Sequence, residues 1–134
     1  MNTSELVQRE QRRIAELLRD WPPDVVETVV DEAMASWSRP DWRKQWSWRW
    51  NPRLRTTIGR AFLKTGVVEL NPVLLARHPA EMRKVVIHEF AHLLAFKLRP
   101  REPAHGPSWR ALMRAAGQRP RASHTLPVED LRRS

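Results

Sequence analysis

The chain has 134 residues, 41% of them hydrophobic, enough for one compact domain with a modest core and too many for global disorder. It contains no cysteine, which excludes disulfides, a cysteine nucleophile, iron–sulfur clusters and a thiolate zinc ribbon, so any metal site must be built from His, Asp and Glu. Its formal charge is +9, and twenty of its 24 basic residues are Arg. Such a surface suits phosphate through bidentate guanidinium contacts, although codon bias in a GC-rich genome gives the same composition without any function.

The first residues lead into a charged amphipathic stretch rather than an apolar signal segment, and the most apolar run, residues 85–98, is broken by His88, Glu89, His92 and Lys97. No membrane association is expected, and a cytoplasmic monomer is the default. Residues 4–19 place Leu6, Val7, Ile14, Leu17 and Leu18 near one side of a helix that Trp21-Pro22-Pro23 ends. Asp24 opens a second helix whose apolar set, Val26, Val29, Val30, Ala33, Met34 and Trp37, follows helical spacing up to Pro40. Beyond it the period changes. Trp46, Trp48 and Trp50 alternate with Ser47 and Arg49, which predicts a strand. Residues 56–62 and 67–70 predict two more, joined by Lys64-Thr65-Gly66, so the three form a small antiparallel meander. Asn71-Pro72 starts a short helical turn through Ala76.

Pro79 predicts the start of the longest helix, which runs to about Leu98 and is apolar around most of its circumference, hence central and buried. A proline-stiffened loop, residues 99–103, precedes a last helix from Pro107 that Gly117 caps. The fold class is thus α+β: a three-stranded antiparallel sheet packed against a central helix with flanking helices. The organisation is a single domain over 1–134, with helices in 1–40, the sheet and site helices in 42–117, and an irregular tail in 118–134.

The central helix carries His88-Glu89-Phe90-Ala91-His92, an HExxH motif. Positions i and i+4 share a helix face, so two imidazoles can reach one cation, and the carboxylate next to the first can contact a water there rather than the metal. Zinc (Zn2+) suits such a donor set and keeps a position for water in catalytic sites. From this chain's five His and ten Glu, a chance HExxH is roughly a 1-in-100 event. His105 is the best third ligand, because it follows the stiff loop and precedes Gly106, which permits a tight turn. Its distance from His92 is longer than the metzincin pattern. A Glu ligand would have to be Glu102, in a loop, or Glu129, in the tail. His78, before a helix-opening proline, reads as a cap or surface residue, and His124 as a tail histidine.

HEFAH followed by His105-Gly106-Pro107-Ser108-Trp109, with residues 53–59 and Val67-Val68-Glu69-Leu70-Asn71 upstream, resembles the SprT/Spartan metalloprotease family over residues 42–125. The resemblance implies a zincin-like α+β fold, zinc ligands at His88, His92 and His105, and Glu89 as catalytic base. It also implies hydrolysis of peptide bonds in DNA-associated or DNA-crosslinked proteins, from a minimal catalytic domain without the family's cysteine zinc ribbon.

Trp42, Trp46, Trp48 and Trp50 are interleaved with Arg43, Lys44, Arg49, Arg53 and Arg55. Aromatic stacking beside a basic track is how single-stranded nucleic acid is commonly held. The competing reading packs Trp46, Trp48 and Trp50 onto the helices and leaves Trp42, Arg43, Lys44, Arg49, Arg53 and Arg55 as the DNA contacts, single-stranded or at junctions. A nucleoid-associated location would follow. With no tyrosine present, an oxyanion partner must come from Arg, His or a backbone N–H beside the zinc. Two other readings compete with the peptidase: a nucleic-acid-binding domain with a structural or inactive zinc site, and an adaptor working through its basic face.

Overall fold

The computed structural model describes residues 2–22 and 24–122. Pro23 and the tail beyond Ala122, with His124 and Glu129, lie outside the described residues. Five α-helices and three strands are described: α1 Thr3–Leu17, α2 Val25–Ser36, β1 Ser47–Trp50, β2 Gly59–Phe62, β3 Val67–Leu70, α3 Pro72–Arg77, α4 Met82–Leu98 and α5 Pro107–Ala115. Short 3-10 turns occupy Pro40–Gln45 and Pro79–Glu81. No described helix is long and apolar enough to cross a membrane.

In α1 the Asn2 side chain accepts from the Glu5 amide at 2.8 Å and so satisfies one of the unpaired donors at the helix start. Ile14 is buried and Leu17 packs against the core, but Leu6 and Val7 stay more than half exposed. The first half of the expected apolar stripe therefore stays open among the described residues. In α2 the whole expected set is buried, Val26, Val29, Val30, Ala33, Met34 and Trp37, so tertiary burial holds a helix that its valines would weaken in isolation. The Trp37 indole donates to the Leu112 carbonyl at 2.8 Å and ties α2 to α5.

The sheet is mixed, not antiparallel. Its order is β1-β3-β2: β2 and β3 form the expected antiparallel hairpin, with Gly66 at φ 73°, while β1 pairs with β3 in parallel. The reason lies in residues 51–58, which do not close a hairpin. Leu54 and Ile58 are buried, and the Asn71 side chain donates to the carbonyls of Leu54 (3.1 Å) and Thr57 (3.2 Å). That loop carries the chain past β3, and it delays the second strand, expected from residue 56, to Gly59.

Register fixes the two faces. Trp48, Val68 and Ala61 form one row and Trp50, Leu70 and Gly59 the next, both towards the helices. On the other face Glu69 sits between Arg49 and Arg60, accepting from each at 2.8 Å and from Asn51 at 3.0 Å. Burial alone would raise the Glu69 pKa, but the hydrogen bonds from Asn51, Arg49 and Arg60, with the Arg60 charge, bring it down to about 2. Helix α4 is the centre of the core, with Val85, Val86, Ile87, Phe90, Ala91, Leu93 and Leu94 buried. It begins at Met82 rather than Pro79, after one 3-10 turn.

Candidate metal centre

His88 and His92 project from one face of α4, one turn apart, and His105 enters from the loop before α5. Their ring centroids lie 4.9 Å (88–92), 5.4 Å (88–105) and 4.7 Å (92–105) apart, and one ligand atom from each falls within 4.8 Å of the others. The Nε2 atoms of His88 and His92 are 3.2 Å apart. Two nitrogens bonded to one tetrahedral zinc at about 2.0–2.1 Å would stand about 3.3 Å apart, so this pair already has the spacing of two ligands. The Nε2 of His105 is buried with no hydrogen-bond partner among the described residues. Burial also lowers the pKa of His105 from its ordinary 6.5, which keeps the ring neutral and its lone pair available. A buried imidazole nitrogen without a partner is costly, and a cation would satisfy it. The three residues fit a divalent metal by spacing and by chemistry.

Glu89 is 5% exposed, and burial pushes its carboxyl up to about 8. A cation beside it would favour the ionised form and oppose that shift. Glu89 lines the same cleft as the three histidines, a space of about 340 Å³ also bounded by Gly59, Arg60, Ala61, Leu63 and Ala104. The close approach of β2 depends on Gly59: a Cβ there would stand 3.0 Å from Val85 Cγ1 and 3.3 Å from Glu89 Cγ. Glycine opening a strand marks such a contact, though sequence alone does not say with what.

Trp109 is fully buried at the foot of the site. Its indole donates to the His88 carbonyl at 3.2 Å, stacks on His92 (5.4 Å, 19°) and meets His88 and His105 edge-on at 4.9 and 4.6 Å. One ring thus touches all three imidazoles, a contact that the sequence motif contained but did not disclose. Glu102, weighed above as a ligand, does something else: it accepts from the Ser108 amide and hydroxyl, both at 3.0 Å, and fastens the loop carrying His105 to the start of α5. His78 closes α3 and stands outside the histidine group.

The basic segment is distributed differently. Arg43 donates to both Glu27 oxygens (2.6 and 2.5 Å) and to the Trp46 carbonyl (2.7 Å), and the Trp48 indole also donates to Glu27 at 2.7 Å. Trp46 is buried 6.4 Å from Phe90, and Trp42 lies edge-on against Trp46 under Arg39. Arg49 is held by Glu69 and Arg53 pairs with Glu10 at 3.5 Å, and both are exposed, as are Lys44 and Arg55. Another cavity, about 640 Å³, lies away from the histidines. It lies between α1 and Arg53, and its walls mix Arg9, Arg12 and Arg13 with Glu10 and Glu16, Glu10 pairing with Arg53 at 3.5 Å.

The fold and the three-histidine centre define a mixed α+β domain able to hold a metal ion. The chain belongs to the SprT-like family, whose sequence profile matches residues 26–129. It is 44% identical over 59 residues to Protein SprT of Photorhabdus laumondii, covering 43% of this chain and 30% of that one. It is 38% identical over 81 residues to Protein SprT of an Enterobacter species (59% and 49%) and 37% identical over 81 residues to that of Escherichia coli (59% and 49%). The chain thus spans half or less of the length of these curated relatives. No solved structure matches. The family match begins inside α2, upstream of the motifs, and α1 precedes it.

Proposed function

We propose that this domain is a zinc-dependent endopeptidase that acts on DNA-associated or DNA-crosslinked proteins. The observation that carries the reading is the buried carboxylate of Glu89 in one cleft with three convergent imidazoles, one of which has a buried nitrogen lacking any described partner. When bound, zinc supplies polarisation of the scissile carbonyl and acidification of the attacking water. Glu89 takes the proton of that water and then passes it to the leaving amine. His88, His92 and His105 hold the metal, and Trp109 and Glu102 keep those rings in place.

The strand β2 supports a peptide substrate. It is an edge strand, pairing with β3 alone among the described residues, and it lines the cleft. An extended chain can add to such an edge through backbone hydrogen bonds, which read little side-chain identity. The DNA part of the reading is supported by the +9 charge and by the exposed Lys44, Arg53 and Arg55. The test is cleavage of a histone or an unfolded protein by the zinc-loaded chain, with and without single-stranded DNA, against chelator-treated protein. Metal-dependent cleavage stimulated by DNA is expected. Zinc retention without cleavage under any condition would favour a binding domain with a structural site, and cleavage indifferent to DNA would keep the peptidase and discard the DNA link.

A further inference from the structure

Helix α4 turns Val85 and Glu89, four residues apart on one face, towards β2, and Gly59 lies against both. We propose that Gly59 is the positioning residue of Glu89. Having only a hydrogen there lets β2 lie close enough to fix the direction of the carboxylate beside the three histidines. The inference deepens the peptidase reading and rests on it.

Space, not backbone conformation, requires glycine at this position. Gly59 sits in a strand, and the left-handed glycines are Gly66 and Gly117. A Cβ on Gly59 would stand 3.0 Å from Val85 Cγ1, 3.3 Å from the Glu69 carbonyl oxygen and 3.3 Å from Glu89 Cγ. Contacts that short oblige a neighbour to move, and the neighbours differ in what they can do. Val85 is completely buried in the core, and the Glu69 carbonyl belongs to the backbone of β3, so neither yields readily. Glu89 can yield by turning about its side-chain bonds, because no protein group among the described residues donates a hydrogen bond to its carboxylate. Packing against β2 is what holds it.

The register gives Gly59 a second property. The Asn71 amide donates to the Ile58 carbonyl at 2.8 Å, so residues 58 and 71 form a hydrogen-bonded pair. Such pairs alternate along an antiparallel ladder, and Gly59, opposite Leu70, therefore turns its own N–H and C=O away from β3 towards the open edge. Gly59→Ala keeps both of these groups and adds only the methyl that presses on Glu89. The substitution thus disturbs the base and leaves the backbone groups that would meet an extended substrate. A fall in kcat without a matching rise in KM is the signature.

The experiment compares zinc-loaded wild type with Gly59→Ala, each checked for zinc content and for folding by circular dichroism, in cleavage of an unfolded protein and in crystal structures. Both should hold one zinc per chain. In Gly59→Ala, kcat should fall by about 10–100-fold, with KM within about 2-fold of the parent. Adding Val85→Ala removes the nearest atom on the side away from Glu89, and it should restore most of the lost kcat. The crystal structure of Gly59→Ala should show the Glu89 carboxylate displaced relative to His88 and His92. An unchanged kcat, a loss of cleavage explained by lost zinc, or a Glu89 carboxylate that superposes on the parent's overturns the proposal. Absence of cleavage by the zinc-loaded wild type overturns the peptidase reading instead, and the two crystal structures still decide whether Gly59 sets the carboxylate.

Discussion

The histidine cleft and the tryptophan–arginine segment are the two unusual stretches of this sequence, and the fold treats them in opposite ways. In the cleft, three imidazoles converge and the Nε2 of His105 is buried without a described partner. In residues 42–50 the side chains are largely engaged by the protein itself: Arg43 and Trp48 share Glu27, Arg49 shares Glu69 with Arg60, and Trp46 packs near Phe90. The difference teaches what a pattern can carry. An i, i+4 pair has one geometric meaning on any helix, whereas a period of two says which residues share a face and not what that face meets.

The sharpest way to break the contrast is Glu89→Gln. Cleavage should fall by about 10²–10⁴-fold while zinc is retained, since the amide cannot take the proton. Unchanged cleavage in a zinc-loaded variant would remove Glu89 from the chemistry. Next in size is Trp109→Ala, which empties a fully buried position under all three rings. Urea unfolding should show a loss of about 3–5 kcal/mol, and a variant as stable as the parent would detach the cleft from the core.

Glu69 tests the opposite face of the sheet. Its carboxyl is held at about 2, below the ordinary 4.5, so its contribution is complete above pH 4.5 and is lost as pH falls towards 2. Glu69→Gln should cost about 1–2 kcal/mol at pH 7, since both arginine partners are half exposed, and the gap from the parent should close between pH 4.5 and 2 in acid unfolding. A gap independent of pH would show that the ion pairs contribute nothing. The smallest effects concern nucleic acid. Arg53→Ser and Arg55→Ser should each lower the salt dependence of single-stranded DNA binding by about one ion, with Arg43→Ser leaving it unchanged. The reverse order would return residues 42–50 to the ligand-binding side.

Local signals account for most of what was legible. The apolar spacing of α2, the central position of α4, Asn71-Pro72 before α3 and Gly117 at φ 76° all follow from residues close together in the chain. The HExxH spacing and the loop before His105 single out the three histidines whose rings the fold brings together. What escaped depends on distant partners. The parallel pairing of β1 requires Asn71 to hold residues 54–58, and nothing in the Trp–Arg alternation specifies it. Leu6 and Val7 belong to a helical stripe that stays exposed among the described residues. The contacts of Trp109 with all three rings and the grip of Glu102 on Ser108 exist only once α5 docks beside α4.

Metal content decides the central claim most directly. Protein purified without chelator, loaded with zinc and dialysed should hold one zinc per chain, and His105→Ala, folded as judged by circular dichroism, should lose it under the same dialysis. Wild-type protein that retains no zinc, or a His105→Ala variant that binds it as tightly as the parent, would contradict a site built from these three imidazoles.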